Sequence, residues 1–383
     1  MTAFAVGNAL GASTDQVAAA LFEGVSGLRT CPLDIPFETA CGTFAGELEP
    51  VPASLAPFDS RVARIALAVL DGVSAAAAAA VRRWGADRVS VVVGTSTGGI
   101  AESERAFAAH GATGGIPAGF DLDRQHAFHG LLEVVRSRVG ARGPAYVVST
   151  ACSSSGKVLG SARRLLDAGI ADAVLVGGAD SLCQTTVRGF GALEALSREP
   201  CRPFSALRTG TSIGEGAGFM LLEREGDGEV RLLGVGESSD AHHMSHPHPE
   251  GVGARRAMAE ALRQAGVEPG EVDHVNAHGT ATVANDVVEA KAIADLLGTK
   301  VPVCSTKAYT GHLLGAAGMT EAVFAALAIT RGFVPASLNA HPLDPAIAID
   351  VCLERRLLRP RTVLSNSFAF GGSNVSVLLG AAA

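Results

Sequence analysis

The chain has 383 residues, of which 48% are apolar and only 18% charged, a balance that supplies a large core and excludes general disorder. Its formal charge of −7 argues against a nucleic-acid binder, which presents a strongly basic face. Seven cysteines, at 31, 41, 152, 183, 201, 304 and 352, form no CxxC pair and no metal-ligand spacing; with no charged leader before Leu10 they read as reduced thiols of a cytoplasmic protein.

Apolar runs of strand length alternate with helical patterns, the signature of βαβ units. Six alanines at Ala75–Ala80 predict a well-packed helix. Val89–Val93 is a β-branched strand running into Gly94-Thr95-Ser96-Thr97-Gly98-Gly99, a loop of turn formers. Ala145–Val148 is the next strand, and beyond Cys152 the residues Val158, Leu159, Ala162, Leu165 and Leu166 recur at helical spacing. Ala173–Val176 returns as a strand into Gly177-Gly178. The polar stretch Glu223–Glu229 is too short for a free linker, so the chain reads as two fused halves, 1–225 and 226–383. In the second half, strands at Val272–Ala277 and Val301–Cys304 flank a helix at Asp286–Leu297. An apolar helix then runs from about His312 to Arg331; its Gly-Ala-rich start and central Glu321 mark it as buried in protein rather than spanning a membrane. Val363–Ser365, a turn at Phe370–Ser373 and Val375–Leu379 close the chain as a hairpin.

Four segments carry chemistry. Val147–Gly156 places Cys152 at the junction of a buried strand and a helix, where unpaired N–H groups and the helix dipole favour a thiolate and offer donors to an oxyanion. Asn276–Thr282 sets His278, Thr280 and Thr282 just past a strand end, where α/β proteins carry functional groups. Ser305–Gly318 adds Lys307 and His312, with Glu321 nine residues further on; so many ionisable groups in an apolar region are predicted to satisfy one another around a site. Asn366–Asn374 combines Phe368 and Phe370 with Gly371 and Gly372, a pair that permits positive φ and a mobile gate. The other cysteines read as small core residues. His242, His243, His246 and His248 crowd one loop, and no metal is assigned to it.

Taken together, Thr150-Ala151-Cys152-Ser153-Ser154, His278-Gly279-Thr280 with Thr282, Ser305-Thr306-Lys307 with Thr310-Gly311-His312 and its Leu-Leu-Gly-Ala-Ala-Gly run, and Asn366-Ser367-Phe368 with Phe370-Gly371-Gly372 resemble a known family. In that order, over nearly the whole chain, they resemble the elongating β-ketoacyl-[acyl-carrier-protein] synthases of type II fatty acid and polyketide pathways. The resemblance implies a thiolase-like α/β fold: two pseudo-symmetric halves stacked as α-β-α-β-α layers, in a dimer with a second copy or with a related synthase subunit. It implies that Cys152 takes an acyl chain as a thioester, while His278 and His312 hold the malonyl thioester carbonyl as carbon dioxide leaves. Lys307 then orients the histidines, with Glu321 as its polar support. Thr280 and Thr282 match the hydroxyls that hold the pantetheine arm. Phe370, beside Phe368 and Gly371, matches the gating aromatic, and its N–H joins that of Cys152 in the oxyanion hole.

Thr97 and Phe190 match the acyl pocket, and Arg61, Arg64 and Arg188 are the candidates for contact with an acidic carrier protein. No cofactor is implied, since phosphopantetheine arrives on the acyl carrier protein. Three departures stand out. Ala369 replaces a usual glycine and stiffens the gate; Thr97 replaces a larger apolar residue; Glu194 stands where relatives carry a basic carrier contact. The alternative reading is a non-catalytic partner of the chain-length-factor kind, but such partners lose the nucleophile, and Cys152 is present. Thiolases and starter-unit synthases use Cys-His-Cys or Cys-His-Asn sets, against which the two histidine segments argue.

Overall fold

The computed structural model describes residues 1–382. Five strands form one sheet in the order Ala3–Gly7, Gly216–Glu223, Ala173–Asp180, Val89–Gly94, Ala145–Val148. Six form a second, in the order Asp350–Val351, Pro302–Cys304, His274–Asn276, Thr362–Ala369, Ser373–Ala381, Val230–Ser239, and Arg29–Thr30, Ala40–Gly42 and Ile213–Gly214 form a small third one. Each of the two large sheets has a parallel centre and an antiparallel flank. Val89–Gly94 and Ala173–Asp180 are buried along their whole length, as strands covered on both faces must be. Ala145–Val148 differs: it is an edge strand, and Tyr146 on it is 37% exposed.

Helices Ser154–Asp167 and Ala317–Arg331 pack on each other and on both sheets, so they form the middle layer. Arg61–Trp84 and Phe128–Val139 cover the far face of the first sheet, Val252–Ala265 and Val283–Leu297 that of the second. The result is the expected stack of five layers. The inner helices approach most closely at Gly156 and Gly318, where a Cβ on Gly318 would stand 2.5 Å from the Gly156 nitrogen. Only glycine allows that approach. It also brings the loops ahead of both helices, which carry Cys152 and His312, to one place. The segment Leu314–Arg331 is long and apolar enough to cross a bilayer, and its apolarity is explained by burial of 89% of its most apolar window between the sheets. Ala75–Ala80 lies within Arg61–Trp84, with Ala77 and Ala80 in the core.

Three elements depart from the sequence reading. The helix expected from His312 begins at Ala317, after a 3-10 turn at Leu314–Ala316. Gly311 and Leu314 take φ values of +77° and +54°, which no helix tolerates, and His312 instead pairs in strand fashion with Ile213. Its N–H donates to the Ser212 carbonyl at 2.7 Å, and its carbonyl accepts from the Gly214 N–H at 3.0 Å. The strand from Ala173 runs on through Gly177 and Gly178 to Asp180, because those glycines pair with Phe219 and Gly218. The helix expected at Asp286 starts earlier, at Val283.

Burial of Glu215 explains one of the candidate arginines. Glu215 is fully buried, accepts from the N–H groups of Phe44 and Leu182, and pairs with Arg61, whose Nε is 2.8 Å away. Arg64 pairs with Asp59 where both are partly exposed. Arg61→Ala is expected to cost about 2 kcal/mol, because a buried carboxylate loses its counter-ion, while Arg64→Ala stays within about 0.5 kcal/mol. Urea unfolding of the two variants makes the comparison; equal losses would contradict this account.

Candidate active site

After the strand Ala145–Val148 the chain turns sharply at Ala151, whose φ of +51° is rare outside glycine and marks a strained corner. The turn sets Cys152 just ahead of the helix that starts at Ser154, inside a cavity of about 260 Å3. His278, His312, Thr280, Thr282, Phe190, Phe368 and Phe370 line the same cavity.

His312 Nε2 stands 2.9 Å from Cys152 Sγ. His278 meets His312 edge to face, with ring centroids 5.3 Å apart and planes at 85°. Behind them Lys307 Nζ lies 3.4 Å from His278 Nδ1 and 2.6 Å from Glu321 Oε1. An ammonium only donates, so His278 Nδ1 accepts and the ring keeps its proton on Nε2. Burial, then the charge of Lys307, holds both imidazoles well below the usual histidine range, so both are neutral rather than imidazolium ions.

The same burial corrects the expectation of a resting thiolate. Desolvation pushes the Cys152 thiol up to about 12, against the pull of Lys307 and of the Phe370 and Cys152 N–H groups. The helix starts two residues later, at Ser154, so its dipole reaches the sulfur too weakly to offset a fully dry environment. The site rests as a thiol beside a neutral imidazole. The two N–H groups that reach the sulfur are those expected of the oxyanion hole.

Sequence reasoning missed the buried carboxylates that hold these loops. Glu289 accepts from the N–H groups of His278 and Gly279, both at 2.8 Å, and from Asn366 Nδ2 at 3.2 Å. Asp286 accepts from the Phe204 N–H at 2.7 Å and the Ala281 N–H at 3.1 Å. Asp180 accepts from the Thr95 and Thr97 hydroxyls and from the N–H groups of Ser96, Thr97 and Ala316, so it ties the nucleophile half to the start of the inner helix. A signal for the first two existed: Asp286 and Glu289 share a helical face with Ala290 and Ile293.

The remaining candidates divide. The Thr280 and Thr282 hydroxyls are 3.0 Å apart on the cavity wall. Phe370 stacks on Phe190, with centroids 5.5 Å apart, and Gly371 follows in the turn at φ +82°. Phe368 lies 6.1 Å from the His278 ring. Thr97 lies outside the cavity lining, its hydroxyl held by Asp180 at 2.7 Å. Arg61 and Arg64 are in the ion pairs described above, and Arg188 donates to the Asp34 carbonyl at 2.9 Å; none of the three lines the cavity.

Comparison with known proteins agrees with this geometry. Residues 2–228 match the family model described as beta-ketoacyl synthase, N-terminal domain, and residues 230–341 the corresponding C-terminal domain. A 3-oxoacyl-[acyl-carrier-protein] synthase 2 from Rhizobium meliloti is 40% identical over 259 residues, 62% of this chain and 61% of that protein, so the match spans about three fifths of the relative. Among solved structures, a ketosynthase, ApeO, in complex with its chain length factor from Xenorhabdus doucetiae superposes with a TM-score of 0.93 at 38% identity, covering 100% of this chain and 97% of the other. The ishigamide ketosynthase/chain length factor superposes at 0.91 with 29% identity, covering 100% and 98%. With these matches spread over both halves and the four motif segments gathered around one cavity, the chain belongs to the beta-ketoacyl synthase family.

Proposed function

We propose that this chain catalyses a decarboxylative Claisen condensation between an acyl group carried on Cys152 and a malonyl thioester delivered by an acyl carrier protein. The observation that carries this reading is Cys152 Sγ at 2.9 Å from His312 Nε2, with His278 beside it and locked by Lys307 as a neutral Nε2–H donor. In the first half-reaction the thiol proton passes to His312 as sulfur attacks the donor thioester. The tetrahedral oxyanion accepts from the Cys152 and Phe370 N–H groups, and the carrier thiol leaves with the proton. In the second, with the sulfur acylated, His312 takes the Nε2–H tautomer, since its Nδ1 has no hydrogen-bond partner among the described residues to keep the proton there. The malonyl carbonyl accepts from the two imidazoles, the carbon–carbon bond breaks, and its electron pair forms an enolate as carbon dioxide leaves. That carbanion attacks the acyl carbon and displaces the sulfur as a thiolate, which takes up a proton from water through His312 to restore the thiol. Neutral imidazoles suit this task, since they donate to a developing enolate without quenching it by proton transfer.

The reaction so written uses no cofactor beyond the phosphopantetheine on the carrier. Incubation with an acyl-carrier thioester and malonyl-carrier, followed by intact-mass analysis, is expected to show an acyl adduct on Cys152 and then a β-ketoacyl carrier. No adduct on Cys152 would overturn the proposal.

The chain is also proposed to act as one subunit of a dimer joined through the edge strand Ala145–Val148, which leaves apolar side chains and unpaired backbone groups at the sheet margin. The similar ketosynthases solved with a chain length factor favour a related subunit as partner over a second copy. Sedimentation of the chain alone and co-expressed with such a subunit tests this; a chain that stays monomeric in both would overturn it.

A further inference from the structure

The cavity that holds Cys152 opens beside the loop His242–Pro249, and Ser245, His246 and Pro247 form part of its wall. Among the described residues lining it there is no lysine or arginine, while Glu194 and Asp240 are both present. A carrier-bound arm brings a phosphate to the cavity, and a cation at the mouth would hold it by a charge-assisted hydrogen bond. His246 is the one lining residue near the mouth able to become one, since His278 and His312 lie buried with the nucleophile.

The hydrogen bonds assign the tautomers. The Ser245 N–H donates to His243 Nδ1 at 3.1 Å, so that nitrogen is an acceptor. His246 Nδ1 lies 3.2 Å from the same nitrogen and therefore carries a proton that it donates there. The free position on His246 is Nε2. Protonation of that nitrogen makes an imidazolium whose Nδ1–H is already held by His243, and it leaves Nε2–H as a charged donor. The loop is anchored rather than loose: the Gly371 N–H donates to the Met244 carbonyl at 2.7 Å, and the His248 N–H to Asp240 Oδ2 at 3.0 Å.

We infer that His246, braced by His243, is the phosphate-binding group at the mouth, and that it receives the phosphate of the incoming phosphopantetheine arm in its protonated form. This rests on the condensation reading above, which supplies the arm. The charged groups around the loop fit that role. Asp240 is taken up by Asn374 and the His248 N–H. Glu250 pairs with Lys291, and Arg255 with Asp295, so neither pair offers a free cation to the mouth. Glu194 repels an anion there, which makes the histidine charge decisive. Only the protonated imidazole carries a charge, so the affinity for phosphate is expected to be higher at pH 6 than at pH 8.

The test is titration calorimetry with 4′-phosphopantetheine, pantetheine and inorganic phosphate at pH 6 and pH 8. At the lower pH phosphopantetheine is expected to bind about tenfold more tightly than pantetheine, and the preference to shrink to about twofold at the higher one. The probe's phosphate gains negative charge over the same range, so a falling preference has to come from the protein. His246→Gln is expected to show the small preference at both pH values. A preference that is absent, that does not change with pH, or that survives in His246→Gln overturns the assignment. Inorganic phosphate binding as tightly as phosphopantetheine would also overturn it, since the arm would then contribute nothing. Failure of Cys152 to acylate is read separately and bears on the condensation reading alone.

Discussion

Replacing His278 with alanine is expected to leave acylation of Cys152 close to the wild-type rate while condensation falls by about 10²–10³-fold. Replacing His312 is expected to slow both steps by a comparable factor. The difference follows from position. His312 Nε2 touches the sulfur, so it is the group that takes the thiol proton, and in the proposed condensation it also serves the malonyl carbonyl. His278 packs against His312 and accepts from Lys307 but makes no hydrogen bond to the sulfur, so its donor serves only the enolate. Time courses of acyl-Cys152 by intact mass, alongside carbon dioxide release from malonyl-carrier, separate the two steps. Equal loss of acylation in both variants would contradict the division of labour. A companion measurement concerns the thiol itself. Because burial pushes Cys152 up to about 12, its alkylation by iodoacetamide is expected to rise steadily from pH 7 to pH 10, with no plateau. A plateau near pH 8 would show a thiolate that this site does not hold.

Lys307→Met is the second large expected effect. Lys307 does two things at once: it fixes the His278 proton on Nε2, and it neutralises Glu321, which is buried and has Oε2 without a partner among the described residues. Removal is expected to lower condensation by about 10²-fold and stability by about 3 kcal/mol, the usual cost of stranding one member of a buried pair. In Lys307→Met/Glu321→Gln the stability is expected to return while condensation does not, because only the first loss is electrostatic strain. Recovery of condensation in the double variant would remove Lys307 from the positioning role.

Glu321 also makes a pH prediction. Burial raises its carboxyl from 4.5 to about 7, in spite of Lys307. The folded protein therefore keeps a proton that the unfolded chain has released, so this contribution to stability is full below about pH 4.5 and is lost as pH rises through about 7. Glu321→Gln has no such loss. Its stability relative to the wild type is expected to increase between pH 5 and pH 8, as read from urea midpoints; a constant difference would contradict the assignment.

Much of the site was legible in the sequence because its parts are local. A cysteine between a strand and a small-residue helix, an imidazole followed by two hydroxyls past a strand end, and a lysine five residues before a histidine are all patterns within a few residues. Their chemistry depends on residue type and on neighbours in the chain. The alternation of strands and helices was equally readable, since burial on one or both faces writes itself into apolar spacing.

What the tertiary structure alone decided were the properties that depend on partners far along the chain. His312 left the helix its apolar neighbours suggested, because Ile213, 99 residues earlier, offered it a strand-like pairing. Arg61 and Thr97 looked available for a carrier and an acyl chain, yet Glu215 and Asp180 claim them from more than 80 residues away. Cys152 carries every local feature of a thiolate and is held as a thiol, because dryness is a property of the assembled interior. Desolvation and long-range pairing are set by what folds around a residue, and no local pattern records them.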